Sequence, residues 1–339
     1  HGGGFYHHNK YLVAPQNLPD KLHWSYWESY STWLTGFALL TVLYFFNASS
    51  FLVDRNIFDW SPGAAVAGAL AYLALGWIVY DVICRVFGRD AKGDVGGDLK
   101  VGVLVFIYSC VATWVACRLF SGRAAFLLTG AMIATIMSAN VLMVIIPGQR
   151  KVVAALRAGR PVDPNHGRRG KQRSVHNTYF TLPVLVAMLT NHYAMTYQHP
   201  LNWLVLVLLM LAGALIRLFF VLRHKGPARW ELIAAGVALI GIVVWLVAPE
   251  FEAATAVPDK VGFAQVQPII EQRCVPCHSA AVINKGVSLH TAQAIAKHAQ
   301  ALFQQTVVLK TMPLGNATQM LEVERALLKR WFEGGAPVQ

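Results

Sequence analysis

Most of this chain is divided into apolar runs that are long enough to cross a lipid bilayer. A helix needs about 20 predominantly apolar residues to span the hydrocarbon core, and seven stretches meet that requirement. Backbone groups in hydrocarbon must satisfy their own hydrogen bonds, so this pattern predicts a bundle of helices. Charged residues make up only 14% of the chain, against roughly 25% in a soluble domain. The predicted spans are 31–48, 63–84, 99–118, 123–146, 176–194, 201–222 and 230–248.

The basic residues predict how these spans are oriented. The net charge of +12 would by itself allow a nucleic-acid partner. The cations lie in short loops between spans, however, so we interpret them as topological signals and expect no nucleic-acid partner. The loops at 85–100, 150–173 and 223–229 are rich in Lys and Arg, which places them in the cytoplasm. Seven spans then put residues 249–339 on the outer face.

The motif Cys274-Val275-Pro276-Cys277-His278 is the attachment signature of a c-type haem. Cys274 and Cys277 would each form a thioether with the haem, and His278 would be the proximal iron ligand. Met312, which precedes a proline, is the predicted distal ligand, because Met/His ligation is the cytochrome c pattern. A disulfide or half of a zinc site is the alternative, although zinc would need a second pair of ligands. Attachment of haem on the outer face of a bacterial membrane agrees with the predicted orientation.

These signals predict an all-α chain in three parts. Residues 1–250 form a polytopic transmembrane helix bundle, 251–258 a polar linker, and 259–339 a small all-α domain that resembles a class I cytochrome c. About 80 residues are few for an independent core, and a covalent haem would add to it. A last helix is predicted over 321–333, where apolar residues recur on one face.

Polar side chains inside the spans are the candidate catalytic residues. Groups of this kind are costly in lipid and mark functional positions by default. The fourth span is predicted to end at Pro147 and the fifth to open at His176, so their cytoplasmic ends should meet. The group predicted there offers amide donors, a cation and a titratable base: Asn140, Gln149, Arg150, His176 and Asn177.

The same residues also have a structural interpretation, as helix–helix hydrogen bonds or interfacial caps. Asp81 and Arg217 lie near cytoplasmic ends and are interpreted as structural. His192 closes the fifth span about 24 Å from His176, so the two histidines cannot share one site.

Several blocks of the sequence occur in register along nearly the whole chain. They are His1-Gly2-Gly3-Gly4-Phe5-Tyr6, 10–15, 27–30, Pro147-Gly148-Gln149-Arg150-Lys151 and 174–179. With the fused C-terminal cytochrome, they resemble the bacterial membrane-bound urate oxidases, also called urate hydroxylases. The resemblance implies oxidation of urate to 5-hydroxyisourate in purine catabolism. It also implies an eighth span, which we expect upstream of His1.

The resemblance also implies the electron route and the location. Electrons would pass through haem c, without hydrogen peroxide formation, to a respiratory-chain acceptor such as a soluble cytochrome c or a terminal oxidase. The protein would be a multi-pass protein of the bacterial inner membrane, with its cytochrome domain on the periplasmic face. Because the hydrocarbon core is about 30 Å thick, a cytoplasmic urate site could not reach the outer haem in one step. Either urate binds toward the outer face, near Asn191 and His192, or a second cofactor bridges the membrane, and a heme b in the membrane domain is one option. The competing interpretations are a quinol-linked electron-transfer subunit without urate chemistry and a non-catalytic membrane anchor for a cytochrome.

Overall fold

A computed structural model of the protein describes residues 26–339, except for 55–56, 90–93, 224–225, 249–257, 259, 281–285, 317, 319 and 339. It also describes Tyr11, Pro15, Leu18 and Leu22 of the preceding segment. The Gly-rich segment 1–6 and nearly all of the predicted linker 251–258 lie outside these residues.

All regular structure in the described part of the chain is helical, without a β-strand. The first group of helices is α1 (Trp27–Leu40), extended by a π-helix (Thr41–Phe45), α2 (Ala48–Phe51), α3 (Pro62–Phe87), α4 (Asp98–Leu119), α5 (Gly122–Ala139), a second π-helix (Asn140–Ile145), α6 (Ile146–Arg157), α7 (Pro164–Thr190), α8 (Ala194–Tyr197), α9 (Asn202–Leu222) and α10 (Trp230–Val247). The second group is α11 (Phe263–Arg273), α12 (Ala292–Lys297), α13 (Ala299–Phe303), a third π-helix (Gln304–Val308), a 3₁₀ turn (Leu314–Asn316) and α14 (Glu322–Glu333).

Five helical segments in the described residues are long and apolar enough to cross a membrane. They confirm a multi-pass, all-α membrane protein. The predicted spans at 31–48 and 176–194 fall on α1 and α7, which are not among the five, and they stay predictions. The five are Pro62–Phe87, Asp98–Leu119, Gly122–Arg157, Asn202–Leu222 and Trp230–Val247.

The helix that carries the fourth predicted span does not end at Pro147 but continues to Arg157, so the predicted end of the span describes the apolar run and stays a prediction. Proline has no N–H and would leave the carbonyl four residues earlier without its partner. The π-helix Asn140–Ile145 directly precedes it and shifts the hydrogen-bond register of this turn. Segments of this type are rare inside helices and often occur at functional sites.

The helix that carries the predicted span 176–194 also extends beyond it. This helix, α7, begins at Pro164 and not near His176. Asp163 caps it by accepting a hydrogen bond from the backbone N–H of Asn165 (2.9 Å). Pro164 occupies the first turn, where a missing N–H costs nothing. His176 therefore lies inside a continuous helix, more than three turns from its start.

The membrane portion is organised around α7, which packs against both α5 and α9. Gly213 of α9 allows close approach there, because a Cβ at that position would lie 3.3 Å from the backbone of Leu182. Small residues at such contacts are typical of helix packing in lipid.

The C-terminal helices form a separate hydrophobic core, built on residues from Val261 to Trp331. Ile270 of α11 and Trp331 of α14 are fully buried in it. Arg273 joins the same two helices by a fork of hydrogen bonds to Glu324, with N···O distances of 2.9 to 3.1 Å. The predicted domain boundaries themselves stay a prediction.

Candidate functional site

A buried network of polar side chains connects α3, the second π-helix and α7. Asn140 is fully buried, and its amide nitrogen donates to the Tyr80 hydroxyl (3.0 Å) and to Asn177 Oδ1 (2.8 Å). Its amide oxygen lies 3.5 Å from Nη1 of Arg173. Asn177 in turn donates to the carbonyl of Met137 (2.9 Å). The network thus fixes the fourth and fifth long helices relative to each other, as well as relative to α3.

Arg173 carries the charge at the centre of this network. Its side chain is only 5% exposed and donates to Asp81 Oδ1 at 2.7 Å. The other oxygen of Asp81 accepts from Arg85 Nε at 2.6 Å. The guanidinium also lies over the ring of Tyr80, 4.9 Å from its centroid. A charge buried this deeply requires partners of this kind, and Asp81 is the principal one.

The chemistry of the side chains assigns the donors in the network. A guanidinium can only donate, so Asn140 presents its oxygen to Arg173 and its nitrogen to Tyr80. The Tyr80 oxygen therefore accepts from Asn140, and we assign its hydroxyl proton to the contact with His176 Nδ1, 2.8 Å away, so that Tyr80 both accepts and donates. In a neutral imidazole whose Nδ1 accepts, the proton resides on Nε2. His176 is thus held as one tautomer by a chain of contacts that starts at an ion pair.

A polar cavity of about 220 Å³ lies beside Asp81 and Arg173. The described residues that line it include five cationic side chains and a single carboxylate, that of Asp81. Gln172, which also donates to Asp98 (3.0 Å), adds an amide. This excess of positive charge in a partly enclosed site favours an anionic ligand. The cations are Arg85, Arg89, Lys151, Arg169 and Arg173.

Three of the five residues predicted as catalytic meet in the network: Asn140, His176 and Asn177. Gln149 and Arg150 do not join it, because the helix continues past Pro147 and places both on an exposed face of α6. Arg150 instead interacts electrostatically with Tyr30. The location of each residue is thus known, while its catalytic role stays a prediction.

The residues missed by sequence reasoning are Arg173, Asp81 and Tyr80. Arg173 was counted with a cytoplasmic loop, and Asp81 was interpreted as an interfacial charge. The signal was present, since Arg173, His176 and Asn177 are spaced i, i+3 and i+4 on one helix face. It required knowing that α7 extends back to Pro164. Arg217 keeps its structural interpretation, because its Nε donates to the carbonyl of Thr178 (3.1 Å).

The cysteine motif in the C-terminal part forms a single turn after α11. The backbone N–H groups of Cys277 and His278 both bond to the carbonyl of Cys274, at 3.1 and 3.0 Å. Neither cysteine is in a disulfide; Cys274 is buried and Cys277 is exposed. Burial raises the pKa of the Cys274 thiol to about 12, although the nearby charge of Arg325 opposes this. His278 Nδ1 lies 3.1 Å from the carbonyl of Val287, which leaves Nε2 as the ring nitrogen that can bind a metal.

The two methionines near this turn have different environments. Met320 is 4% exposed and packs in the hydrophobic core. Met312 is half-buried in a loop, where its carbonyl accepts from Nη1 of Arg325 at 2.9 Å. Arg325 is itself buried, and the same nitrogen donates to the carbonyl of Thr306. Burial lowers the pKa of Arg325, while Glu322 and Glu324 oppose that shift.

No curated protein and no solved structure matches the chain, whereas its membrane portion matches a family model. Residues 1–248, well over half of the chain, match the model of the family described as Urate oxidase N-terminal. The helices that carry the buried network and the cationic cavity all lie within this match. The chain therefore belongs to the Urate oxidase N-terminal family, and its membrane portion has a urate-related oxidative function.

Proposed function

We propose that this protein oxidises urate to 5-hydroxyisourate at the cationic cavity, and that the electrons leave through a c-type haem. The observation that carries the proposal is the position of the cavity within the family's matched region, directly beside the network that holds His176. Urate is a planar anion with several carbonyl oxygens and ring N–H groups. The cavity offers the complementary set of charged donors.

Arginine is the residue best suited to this recognition. Its planar guanidinium can form two parallel hydrogen bonds to neighbouring acceptors. Arg169 and Arg173 both line the cavity, and Gln172 lies between them in sequence with an amide that can donate or accept. Hydrogen bonds to an ionised ligand are about twice as strong as neutral ones, so this lining selects for an anion.

His176 is the proposed base, acting through the network. When water adds at C5 of urate, a proton must leave the reacting group. Cys84 lines the cavity, and its sulfur lies 3.9 Å from His176 Nδ1. Tyr80 bonds directly to the same nitrogen. A proton that reaches Cys84 or Tyr80 can thus be accepted by the imidazole of His176. Asn140 and Asn177 keep this imidazole and the Tyr80 phenol in place.

The C-terminal part has the groups required to hold a c-type haem. The donor set fits, since two thiols and an imidazole lie on one turn and the imidazole is oriented through Nδ1, as is usual for metal-ligating histidines. Cys274 and Cys277 would attach the haem, and His278 and Met312 would be its axial ligands. Such a haem supplies one-electron transfer, so each urate requires two transfers.

The proposed setting is the bacterial inner membrane. The cations of the cavity belong to the segments that the positive-inside rule places in the cytoplasm. The haem domain would then be periplasmic, where a soluble cytochrome c or a terminal oxidase can accept its electrons.

An anaerobic optical titration of the full-length protein in membranes tests the proposal. Addition of urate should increase the reduced c-type α band, and Cys277→Ser should abolish that change. Arg169→Gln should raise the half-saturating urate concentration about tenfold, because it removes one cation from the cavity.

Arg157→Gln is the matched control. It removes the same charge from the neighbouring helix α6, at an exposed position that is not among the residues lining the cavity. Equal effects of the two substitutions would refute the assignment of the cavity. Reduction of the haem by quinol, with no response to urate, would refute the urate assignment altogether.

A further inference from the structure

A second cavity of about 240 Å³ lies between α4, α7 and α9. Its lining is almost entirely apolar and includes several aromatic or flexible side chains. The side chain of His176 and the buried polar network around it lie between this cavity and the cationic cavity. The residues most relevant to a ligand are Phe106, His176, Tyr179, Phe180, Val207 and Met210.

The imidazole of His176 contacts both the polar network and the apolar cavity. With Nδ1 assigned as the acceptor from the Tyr80 hydroxyl, its proton lies on Nε2. Nε2 has no hydrogen-bond partner among the residues that the structure describes, while the ring itself lines the apolar cavity. The cavity is thus an apolar space with a single imidazole N–H available for a ligand. Ligand sites commonly combine an apolar lining with a few orienting polar groups.

The two cavities are very close to each other. Cys84 lines the cationic cavity, and its sulfur is only 3.9 Å from the imidazole that lines the apolar one. A ligand on each side would therefore be separated by little more than one side chain. Across that distance both a proton and electrons can pass without any large movement of the helices.

We infer that the apolar cavity binds the ring of an isoprenoid quinone, which accepts the two electrons removed from urate; this step rests on the proposed function. A quinone ring is flat, apolar and lipid-borne, and its carbonyl oxygen accepts a hydrogen bond such as His176 Nε2–H. The chemistry balances: urate loses two electrons and two protons as a water oxygen bonds to C5, giving 5-hydroxyisourate. The quinone gains the same two electrons and two protons, giving quinol.

The site also resolves the distance between a cytoplasmic urate cavity and an outer haem. The hydrocarbon core is about 30 Å thick, which is too far for one electron-transfer step. A quinol formed beside His176 is mobile in the bilayer and carries two reducing equivalents toward the outer face.

The test uses a glycine at the rim of the cavity. Gly102 lines the cavity, and a Cβ there would meet nothing within 4 Å. Gly102→Leu should therefore place its side chain in the ligand space without displacing a neighbour. Gly241→Leu is the matched control, since Gly241 also lies in a span with open space around its Cβ and is not among the cavity's lining residues.

Equilibrium binding of a short-chain ubiquinone is measured on the detergent-purified full-length protein without urate. Saturable binding is expected for the wild type, with at least about tenfold weaker binding in Gly102→Leu and no change in Gly241→Leu. Absence of saturable binding, or equal binding by Gly102→Leu and the wild type, would overturn the inference. A b-type haem band in the reduced wild-type spectrum that is lost in Gly102→Leu would also overturn it, because haem would then occupy the cavity.

The failure of this inference can be told apart from a failure of the proposed function. Urate oxidation is measured in parallel with ferricyanide as a soluble acceptor that does not enter the membrane. If Gly102→Leu oxidises urate with ferricyanide but not with the ubiquinone, both assignments are supported. If the wild type oxidises urate with neither ferricyanide nor the ubiquinone, the urate assignment fails, and with it the transfer from urate to quinone, whatever the binding result.

Discussion

The ion pair between Asp81 and Arg173 should be the most sensitive point of the membrane portion. Asp81→Asn removes the carboxylate at 2.7 Å from a guanidinium that is only 5% exposed. Breaking a buried pair from one side costs about 3–5 kcal/mol of unfolding free energy, because the remaining charge stays buried. Arg173 keeps its position over the Tyr80 ring, and a desolvated cation–π contact retains about 2 kcal/mol. We therefore expect a cost near the lower limit, about 3 kcal/mol.

The second cation on the same carboxylate is the internal control. Arg85 lies 2.6 Å from Asp81, but its side chain is 70% exposed. Arg85→Gln should therefore cost only about 0–1 kcal/mol, as exposed pairs do. Arg173→Gln should cost less than Asp81→Asn, since it removes the buried charge and leaves Asp81 paired with Arg85. The double variant Asp81→Asn/Arg173→Gln should recover most of the loss.

Denaturant titration in mixed micelles, followed by far-UV circular dichroism, gives these differences. The expected difference in unfolding free energy depends on the burial of Arg173, and not merely on the presence of an ion pair. If Asp81→Asn destabilised the protein no more than Arg85→Gln, or if the double variant were additive, the buried charge would not be the cause.

Three further outcomes are expected. Tyr80→Phe should cost about 1–3 kcal/mol in the same titration, because it leaves the buried partners of its hydroxyl, Asn140 and His176, unpaired; an unchanged stability would contradict these hydrogen bonds. Gly122→Ala should cost about 1–3 kcal/mol, since its Cβ would lie 2.2 Å from a backbone oxygen, whereas Gly63→Ala, with nothing within 4 Å, should not. Arg325→Met should weaken ligation by Met312, whose carbonyl it holds at 2.9 Å. The expected readouts are a weaker Met–iron charge-transfer band and a lower reduction potential. An unchanged spectrum would show that Arg325 does not position the loop that carries Met312.

Much of the architecture can be predicted from the sequence because lipid allows few alternatives. A backbone in hydrocarbon has to be helical, so runs of about 20 apolar residues indicate both the fold class and most of the spans. The last helix could be predicted for a different reason, because its apolar residues recur on one face, and α14 packs onto α11 in the C-terminal core. The cysteine motif predicts a c-type haem from local spacing alone, because thioether attachment requires a fixed spacing of the two thiols, and that haem stays a prediction.

The polar ends of the long helices could not be predicted in this way. Hydropathy places the start of α7 where the apolar residues begin, near His176, whereas its N-cap at Asp163 starts it thirteen residues earlier. Hydropathy also stops the fourth span at Pro147, while the π-helix before it lets the helix continue. Both differences have one cause: hydrophobicity reports where a helix enters lipid, and capping reports where the helix itself begins and ends.

The sequence alone determined that this is a helical membrane protein, and its cysteine motif predicts haem attachment, since both inferences depend on neighbouring residues in the chain. Only the tertiary structure decided which polar side chains act together. Asn140, Arg173 and Tyr80 are far apart in sequence, and each alone has an ordinary structural interpretation. Burial in one polar network changes that interpretation, because a charge removed from water requires partners, and these lie on other helices. Those contacts, in turn, orient His176 between a cationic cavity and an apolar one.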